Sequence, residues 1–411
     1  MDRVKGYLRQ GMKTIISIAP SYLGVLEYDR PGQVVDALKR LGFYEVREKA
    51  EGAALVTREY ARLLEEGKME NIITTCCPSV NDLIEKYYPS LVTMMAPVVS
   101  PMVAHGRLIK SIYGEEVKVV FLGPCIAKKE EAIGDERVRG AIDAILTFEE
   151  ITKWWRAEGI DIHQCDDQPV GNPSPEVNQL YPLSGGVIQS VLADTSEDSY
   201  YKVHIDGLKN CMELFEELKM GKINKCFFEV NVCEGGCIKG PASDKWRQSQ
   251  VRAKIDIERQ VKHREAAEGI DGSSLDLRKE FKDRHVVDRQ PDEKEMEQVL
   301  HAMGKYTRQD ELNCGACGYA TCRAKAAAVF QKKAEIGMCL PYALAQAESM
   351  SNIVMDVTPS MIMIVDKDMR IRECNKKAME MLGVSREEAL ERYIFEFIDD
   401  SDIAEVLATR Q

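Results

Sequence analysis

No stretch of this 411-residue chain is apolar for long enough to span a bilayer, and it carries no excess of basic charge. Each absence removes a class of function. A membrane-spanning helix needs roughly 20 apolar residues. The run 91–104 is shorter and contains Pro97 and Pro101, so it reads as a buried core segment, and the run 14–20 is shorter still. Residues 1–13 are polar and basic and resemble no secretory leader, which predicts a cytoplasmic protein without a membrane span. A formal charge of −12 argues against non-specific binding to nucleic acid or to an anionic membrane, leaving only a local basic patch open. Thirteen cysteines are too few for a disulfide-built scaffold of this length. In a reducing compartment they would remain thiols and thiolates, available to metals.

What the chain does have is 45% hydrophobic residues and a length suited to two or three domains. The segment KTIISIAPS (13–21) reads as a buried strand closing in a Pro-Ser turn. Helical apolar spacing follows over 33–42, through Val34, Val35, Leu38 and Leu41, and again over 57–67. Short strands over 71–75 and 118–122 run directly into Cys76–Cys77 and Gly123–Pro124–Cys125. Another over 227–232 delivers Cys233, and 184–191 opens a further helical region. This rhythm of strand, glycine or proline turn, then helix predicts a parallel α/β domain over 1–241. In such a domain sites form beyond the strand ends.

After Pro241 the composition shifts. Residues 242–305 are rich in Lys, Arg, Glu and Asp and read as a charged helical connector or subdomain. Residues 306–349 form a compact unit rich in cysteine and alanine. The tail, 350–411, reads as strand, Asp-containing turn, strand and helices.

The cysteines fall into three groups. Cys165, Cys211, Cys226 and Cys374 stand apart and read as buried thiols. Cys76, Cys77, Cys125, Cys233 and Cys237 are dispersed, so only a folded domain could bring them to one site. Cys314-x2-Cys317-x4-Cys322-x16-Cys339 is local enough to hold a cluster within one small unit. Soft thiolates suit iron–sulfur clusters, and four of them also suit structural zinc. The glycines of CEGGC (233–237) allow a tight turn that points both its cysteines to one centre. Lys128 and Lys129 place positive charge after Cys125, although each alone also reads as a surface charge.

TTCCP (74–78), GPCIAKKEE (123–131) and CEGGC (233–237) together resemble the catalytic domain of [FeFe], or iron-only, hydrogenases of the sensory type. The resemblance covers about residues 13–241 and implies hydrogenase-like parallel-sheet lobes around a central cluster site. It implies an H-cluster, a [4Fe–4S] cube joined by a cysteine sulfur to a diiron subsite carrying CO, CN and a bridging dithiolate. Cys77, Cys125 and Cys233 would be cube ligands, and Cys237 both the fourth ligand and the linking sulfur. Cys76 would transfer protons near the bridgehead amine, and Lys128 would donate to a cyanide ligand. The implied reaction is heterolytic H2 activation, with Cys76 passing the proton towards solvent. Cysteine spacing alone does not separate this cofactor from an ordinary cube, nor Cys76 from a packing residue.

The chain departs from that family in several places. Val80 stands where an aromatic residue is usual, Gly123 replaces the methionine of an MPC turn, and Ser100–Pro101–Met102 replaces SPQQ. Ala96 lacks a hydroxyl of the usual proton relay. Glu59 and Glu131 read either as acidic relays or as solvated or capping charges. The cage is therefore expected to be kept while fast turnover is not.

The unit 306–349 resembles small, mainly helical [4Fe–4S] domains of redox proteins, which implies Cys314, Cys317, Cys322 and Cys339 as ligands of one additional [4Fe–4S] cluster. The tail resembles the start of an α+β PAS domain, with Asn375 near the end of its second strand, and its length predicts that the protein continues beyond Gln411. The expected function is an iron–sulfur, hydrogenase-like sensor that binds or slowly converts H2 and couples cluster redox state to signalling. The alternatives are a catalytic iron-only hydrogenase and a redox-responsive [4Fe–4S] scaffold without the diiron subsite. Expected partners are H2 and protons, a ferredoxin-like or other electron-transfer protein, a downstream signalling domain or protein, and a second copy through the PAS segment.

Overall fold

Five consecutive fully buried residues make β1 (Thr14–Ile18), the strand from which the first sheet grows. The structure, a computed structural model, describes residues 1–171, 176–196, 199–243, 249–261, 270–286, 289–390 and 392–398. The chain divides into two compact units, Met1–Val286 and Val287–Gln411.

In the first unit β1 is followed by β2 (Glu45–Glu48), β3 (Asn71–Ile73), β4 (Lys118–Gly123), β5 (Ala144–Thr147), β6 (Tyr201–Asp206) and β7 (Cys226–Asn231). They form two sheets, β2-β1-β4-β5 and β3-β7-β6, and every pairing within them is parallel. Ile16 lies opposite Val46 on one side and Val120 on the other, and Phe227 opposite Ile72. Strands this apolar must be covered on both faces, which is what a parallel sheet with crossover helices provides. Fully burying one such side chain stabilises the fold by about 1.5–3 kcal/mol. The α/β parallel architecture is the one the sequence predicts.

The elements differ from the sequence reading mainly at their edges. The helix expected over 57–67 begins at Ala50 and runs to Glu66, because Gly52 lets it press against the helix Pro101–Tyr113. A Cβ on Gly52 would lie 2.3 Å from the Pro101 carbonyl oxygen. The run 91–104 is a 3-10 turn leading into that second helix, with Leu91, Ala96, Val99 and Val103 buried.

The helix Gln250–Gln260 packs on this unit, with Ile257 fully buried and Ala253 against Gly24. Residues 276–286 then run as an extended strap over it. The strap is tied by Val99 N–H to Leu277 O at 2.9 Å, Arg284 N–H to Glu85 O at 2.9 Å and Val286 N–H to Lys86 O at 3.0 Å. Parts of the expected connector (244–248, 262–269 and 287–288) lie outside the described residues.

In the second unit the helix Glu293–Ala302 starts with a capping box of Asp292 and Glu295 and packs on the helix Cys322–Phe330. Leu300, Met303, Ala326 and Cys339 form a small core between them. Cys339 occupies the N-cap of the 18-residue helix Leu340–Val357. Beyond it β8 (Met363–Val365) and β9 (Ile371–Cys374) pair antiparallel around a turn in which Asp366 accepts the amides of Asp368 and Arg370. Residues 399–411 of the expected PAS segment lie outside the described residues. No described helix is long and apolar enough to cross a membrane.

Candidate metal centres

The three dispersed cysteine segments all leave the C-terminal ends of parallel strands. β3 hands on to Cys76 and Cys77, and Cys77 is the N-cap of the helix Pro78–Tyr87. β4 hands on to Cys125, and β7 to Cys233 and Cys237. Two strands of one sheet and a central strand of the other thus deliver Cys77, Cys125, Cys233 and Cys237 to one place, as the sheet-end rule predicts. The thiols sense one another there. Burial first, and then Cys77 and Cys125, push the Cys233 thiol up to about 11. Burial pushes Cys237 higher still, with Cys125, Cys77 and Cys233 adding to it. Such a group resists ionisation until a cation binds its sulfurs.

The CEGGC turn depends on its glycines. Gly235 and Gly236 have φ of +78° and +85°. The turn is pressed against the segment 181–183, where the Cys237 N–H donates to Pro182 O at 2.7 Å. A Cβ on Gly236 would lie 2.4 Å from that same oxygen. Gly123 is equally constrained, since a Cβ there would lie 2.8 Å from the Phe121 ring. The ring fills the space that a methionine side chain would need.

Cys76 faces a different set of groups. Its Sγ lies 3.3 Å from the Tyr60 hydroxyl, which also accepts the Thr75 N–H at 2.9 Å. Burial pushes the Cys76 thiol up to about 12, opposed by Tyr60, Lys49 and Lys128. Burial likewise holds the Tyr60 phenol well above its ordinary value. Thr75 spends its hydroxyl on the carbonyls of Val98 at 2.8 Å and Ala96 at 3.2 Å.

The two lysines after Cys125 separate cleanly. Lys129 pairs with Glu150 at the surface. Lys128 is buried, donating to Cys76 O at 3.1 Å and pairing with Glu131 at 2.6 Å. Burial pulls the Lys128 ammonium down, but Glu131, Cys125 and Cys76 together hold it above its ordinary value. Glu131 is itself buried and also accepts from Ser100 Oγ at 3.0 Å. Glu59, by contrast, pairs with Arg62 at the surface. Val80 is a core residue packed with Ile73, Ile84 and Phe228.

Sequence reasoning missed two groups around this cage and one buried polar group beyond the neighbouring strand β1. Tyr60 arrives from the helix Ala50–Glu66 and Lys49 from the end of β2. Ser21, just past β1, has a buried Oγ with no hydrogen-bond partner among the described residues. Their common signal is position beyond a strand end or on the helix behind it, which needs the strands to be known first.

In the second unit Cys314, Cys317, Cys322 and Cys339 line one cavity, together with Lys305 and Lys325. Asn313 accepts the Cys322 N–H at 2.8 Å, and Thr321 caps the helix that Cys322 begins. Lys325 is fully buried and donates to Glu335 O. Among the described residues no three His, Cys, Asp or Glu side chains gather closely enough to hold a single metal ion. A cube binds each thiolate to a different iron and so asks for a wider cage. Cys165, Cys211, Cys226 and Cys374 are buried free thiols, as expected.

Comparison with known proteins agrees with this geometry. Residues 12–241 match the family model for the iron-only hydrogenase large subunit, C-terminal domain. Residues 310–341 match an Fe-S cluster model and 350–410 a PAS domain model. Iron hydrogenase 1 of Clostridium pasteurianum is 28% identical over 298 residues, covering 58% of this chain and 52% of the relative. The cytosolic Fe-S cluster assembly factor narfl of Xenopus tropicalis is 22% identical over 233 residues, 44% of this chain and 49% of the relative. The chain spans about half the length of these curated relatives. Among solved structures, a variant of the [FeFe]-hydrogenase HydA1 of Chlamydomonas reinhardtii shares the fold at TM-score 0.56 and 17% identity, covering 69% of this chain and 99% of that one. This chain belongs to the iron-only hydrogenase large-subunit family, as an iron–sulfur protein with a PAS domain following its second cysteine cage.

Proposed function

We propose that this chain is a hydrogenase-like sensor that binds or slowly converts H2 and passes the redox state of its clusters to a PAS-linked output. Cys77, Cys125, Cys233 and Cys237 would hold an H-cluster, with Cys237 as the linking sulfur, and Cys314, Cys317, Cys322 and Cys339 a second cube. The donor set suits that group: four soft sulfurs and the buried Lys128 ammonium. When bound, the diiron subsite supplies the heterolytic cleavage of H2 and the cube supplies electron storage.

The chain's own residues handle the proton. Cys76 would hold it, and what lies behind Cys76 would slow its departure. Burial keeps the Tyr60 phenol protonated, well above its ordinary value, and Ala96 offers no hydroxyl. A proton leaving in that direction meets a phenol that already holds its own, so the phenol accepts only as it gives that proton up. That arrangement suits a sensor better than a fast enzyme.

The observation that carries the sensory reading lies in the second unit. Cys339 is the N-cap of the helix Leu340–Val357, which at 1.5 Å per residue is about 27 Å long. Asn375 holds the far end: its Nδ2 donates to Met355 O at 3.0 Å, and its Oδ1 accepts from Ile362 N–H and Ala378 N–H at 2.9 Å. One rigid element therefore joins a cluster cysteine to the PAS segment. The expected partners are a ferredoxin-like electron-transfer protein, a downstream signalling domain and a second copy through the PAS segment, in the cytoplasm.

The test is the output of the complete protein with and without H2 at one fixed redox potential. An H2-dependent change supports the sensor, and an output indifferent to H2 sinks it. A paired assay of H2 oxidation and proton reduction separates this reading from a fast catalytic hydrogenase. The similarity to a relative named as an Fe-S cluster assembly factor favours one other reading, a redox-responsive [4Fe–4S] scaffold that never takes a diiron subsite.

A further inference from the structure

Lys49 follows β2 and is the N-cap of the helix Ala50–Glu66, and its N–H donates to Ile18 O at 2.8 Å, where β1 gives way to Ala19, Pro20 and Ser21. The backbone that carries it is therefore fixed by two packed elements. Its ammonium lies 5.8 Å from the centre of the Tyr181 ring. That ring is itself anchored, with its hydroxyl 2.8 Å from Thr57 Oγ1. Tyr181 immediately precedes Pro182, whose carbonyl accepts the Cys237 N–H, and Leu183 bridges to Gly236. The ammonium thus stands beside the turn that carries Cys237.

The electrostatics agree with that placement. Lys49 acts on both Cys237 and Cys76, and on Cys76 more strongly than Lys128 does. The two lysines also differ in how they are satisfied. Lys128 has Glu131 and the Cys76 carbonyl, whereas Lys49 Nζ donates to no group of the described residues. Burial, with Lys128 adding to it, pulls the Lys49 ammonium below its ordinary value, while the sulfurs of Cys237 and Cys76 and the Glu48 carboxylate oppose that pull. A half-buried cation near these sulfurs, with no hydrogen-bond acceptor among the described residues, is suited to an anionic group bound there.

We propose that Lys49 is a second cationic contact of the bound cluster, on the Cys237 side, and that it raises the reduction potential of the iron–sulfur group in this cage. The inference rests on the reading that Cys77, Cys125, Cys233 and Cys237 hold a cube. One-electron reduction makes that cube more negative, so a fixed positive charge beside it stabilises the reduced state more than the oxidised one. Lys128 approaches from the helix that follows β4 and Lys49 from the residue that follows β2, so the two cations reach the cage from different elements.

The test uses the full chain reconstituted with [4Fe–4S] clusters alone, with dithionite as the electron donor and EPR as the readout during a redox titration. The cube in the second unit serves as the internal reference. In Lys49→Met the reduced-to-oxidised ratio of the first cube at fixed potential should fall about tenfold, ~59 mV for one electron, while the reference cube is unmoved. Lys49→Arg should restore most of the shift. An unchanged potential in Lys49→Met at full cluster content overturns the proposal. If Lys49→Met fails to hold the cube, Lys49→Gln is titrated instead, and the same two outcomes decide. A wild-type chain that binds four irons rather than eight, all of them in the second unit, removes the cluster reading itself. That result is distinct from a cube whose potential ignores Lys49.

Discussion

Cys76 and Cys77 are neighbours in sequence with different surroundings, and the chemistry proposed for them differs on that ground. Cys77 caps a helix and shares the field of Cys125, Cys233 and Cys237, whereas Cys76 contacts Tyr60 and lies under the influence of Lys49 and Lys128. Cys76→Ser should therefore leave iron and sulfide content at the wild-type level. H2-dependent proton exchange in the matured protein should slow by about two orders of magnitude or more, the usual worth of a positioned proton donor. Loss of the first cube in that variant would show that the two cysteines are assigned the wrong way round. The cysteines proposed as ligands, and Lys128, could be picked out because they sit in recognisable motifs. Lys49 was not, because β2 is spelled Glu-Val-Arg-Glu and does not read as a buried strand. It is buried through pairing that no linear pattern reveals: Arg47 forms a two-pronged ion pair with Glu51, and Glu51 also meets His105. Without β2, nothing marks Lys49 as a strand-end residue.

At the scale of elements, the strands that end in cysteine were legible because apolar runs stop abruptly at glycine, proline or cysteine. The strap 276–286 was not, because charge usually marks a solvated face and here marks a docked one. Glu85 is fully buried and gathers Arg137, Arg284 and the Lys282 N–H, while Lys279 pairs with Asp135 at 2.9 Å. Lys279 Nζ also lies 3.7 Å from Glu131, the carboxylate that holds Lys128. The strap therefore borders the polar network behind the first cage. Glu85→Ala should loosen it at a cost of about 1–3 kcal/mol, less than a fully buried pair because both arginines are partly exposed to solvent. Hydrogen exchange of the strap amides should accelerate at least tenfold while β1 and β4 keep their protection. Unchanged exchange in the strap would show that its backbone bonds alone hold it.

Across the whole molecule, the chain combines a hydrogenase-type fold with a second cysteine cage and a PAS segment joined by one helix. Its dispersed cysteines lie within the span that matches the hydrogenase family, while behind Cys76 a tyrosine stands and Ala96 brings no hydroxyl. A protein selected for turnover needs an open proton path, whereas a sensor needs only occupancy and a way to report it. The claim on which the rest depends is that the first cage holds the diiron subsite. Infrared spectroscopy of the anaerobically matured full chain tests it most directly. Carbon monoxide and cyanide stretching bands that respond to H2 are the predicted result. A spectrum without those bands, from protein whose two cubes are fully assembled and whose maturation has succeeded in a parallel hydrogenase control, would contradict the account.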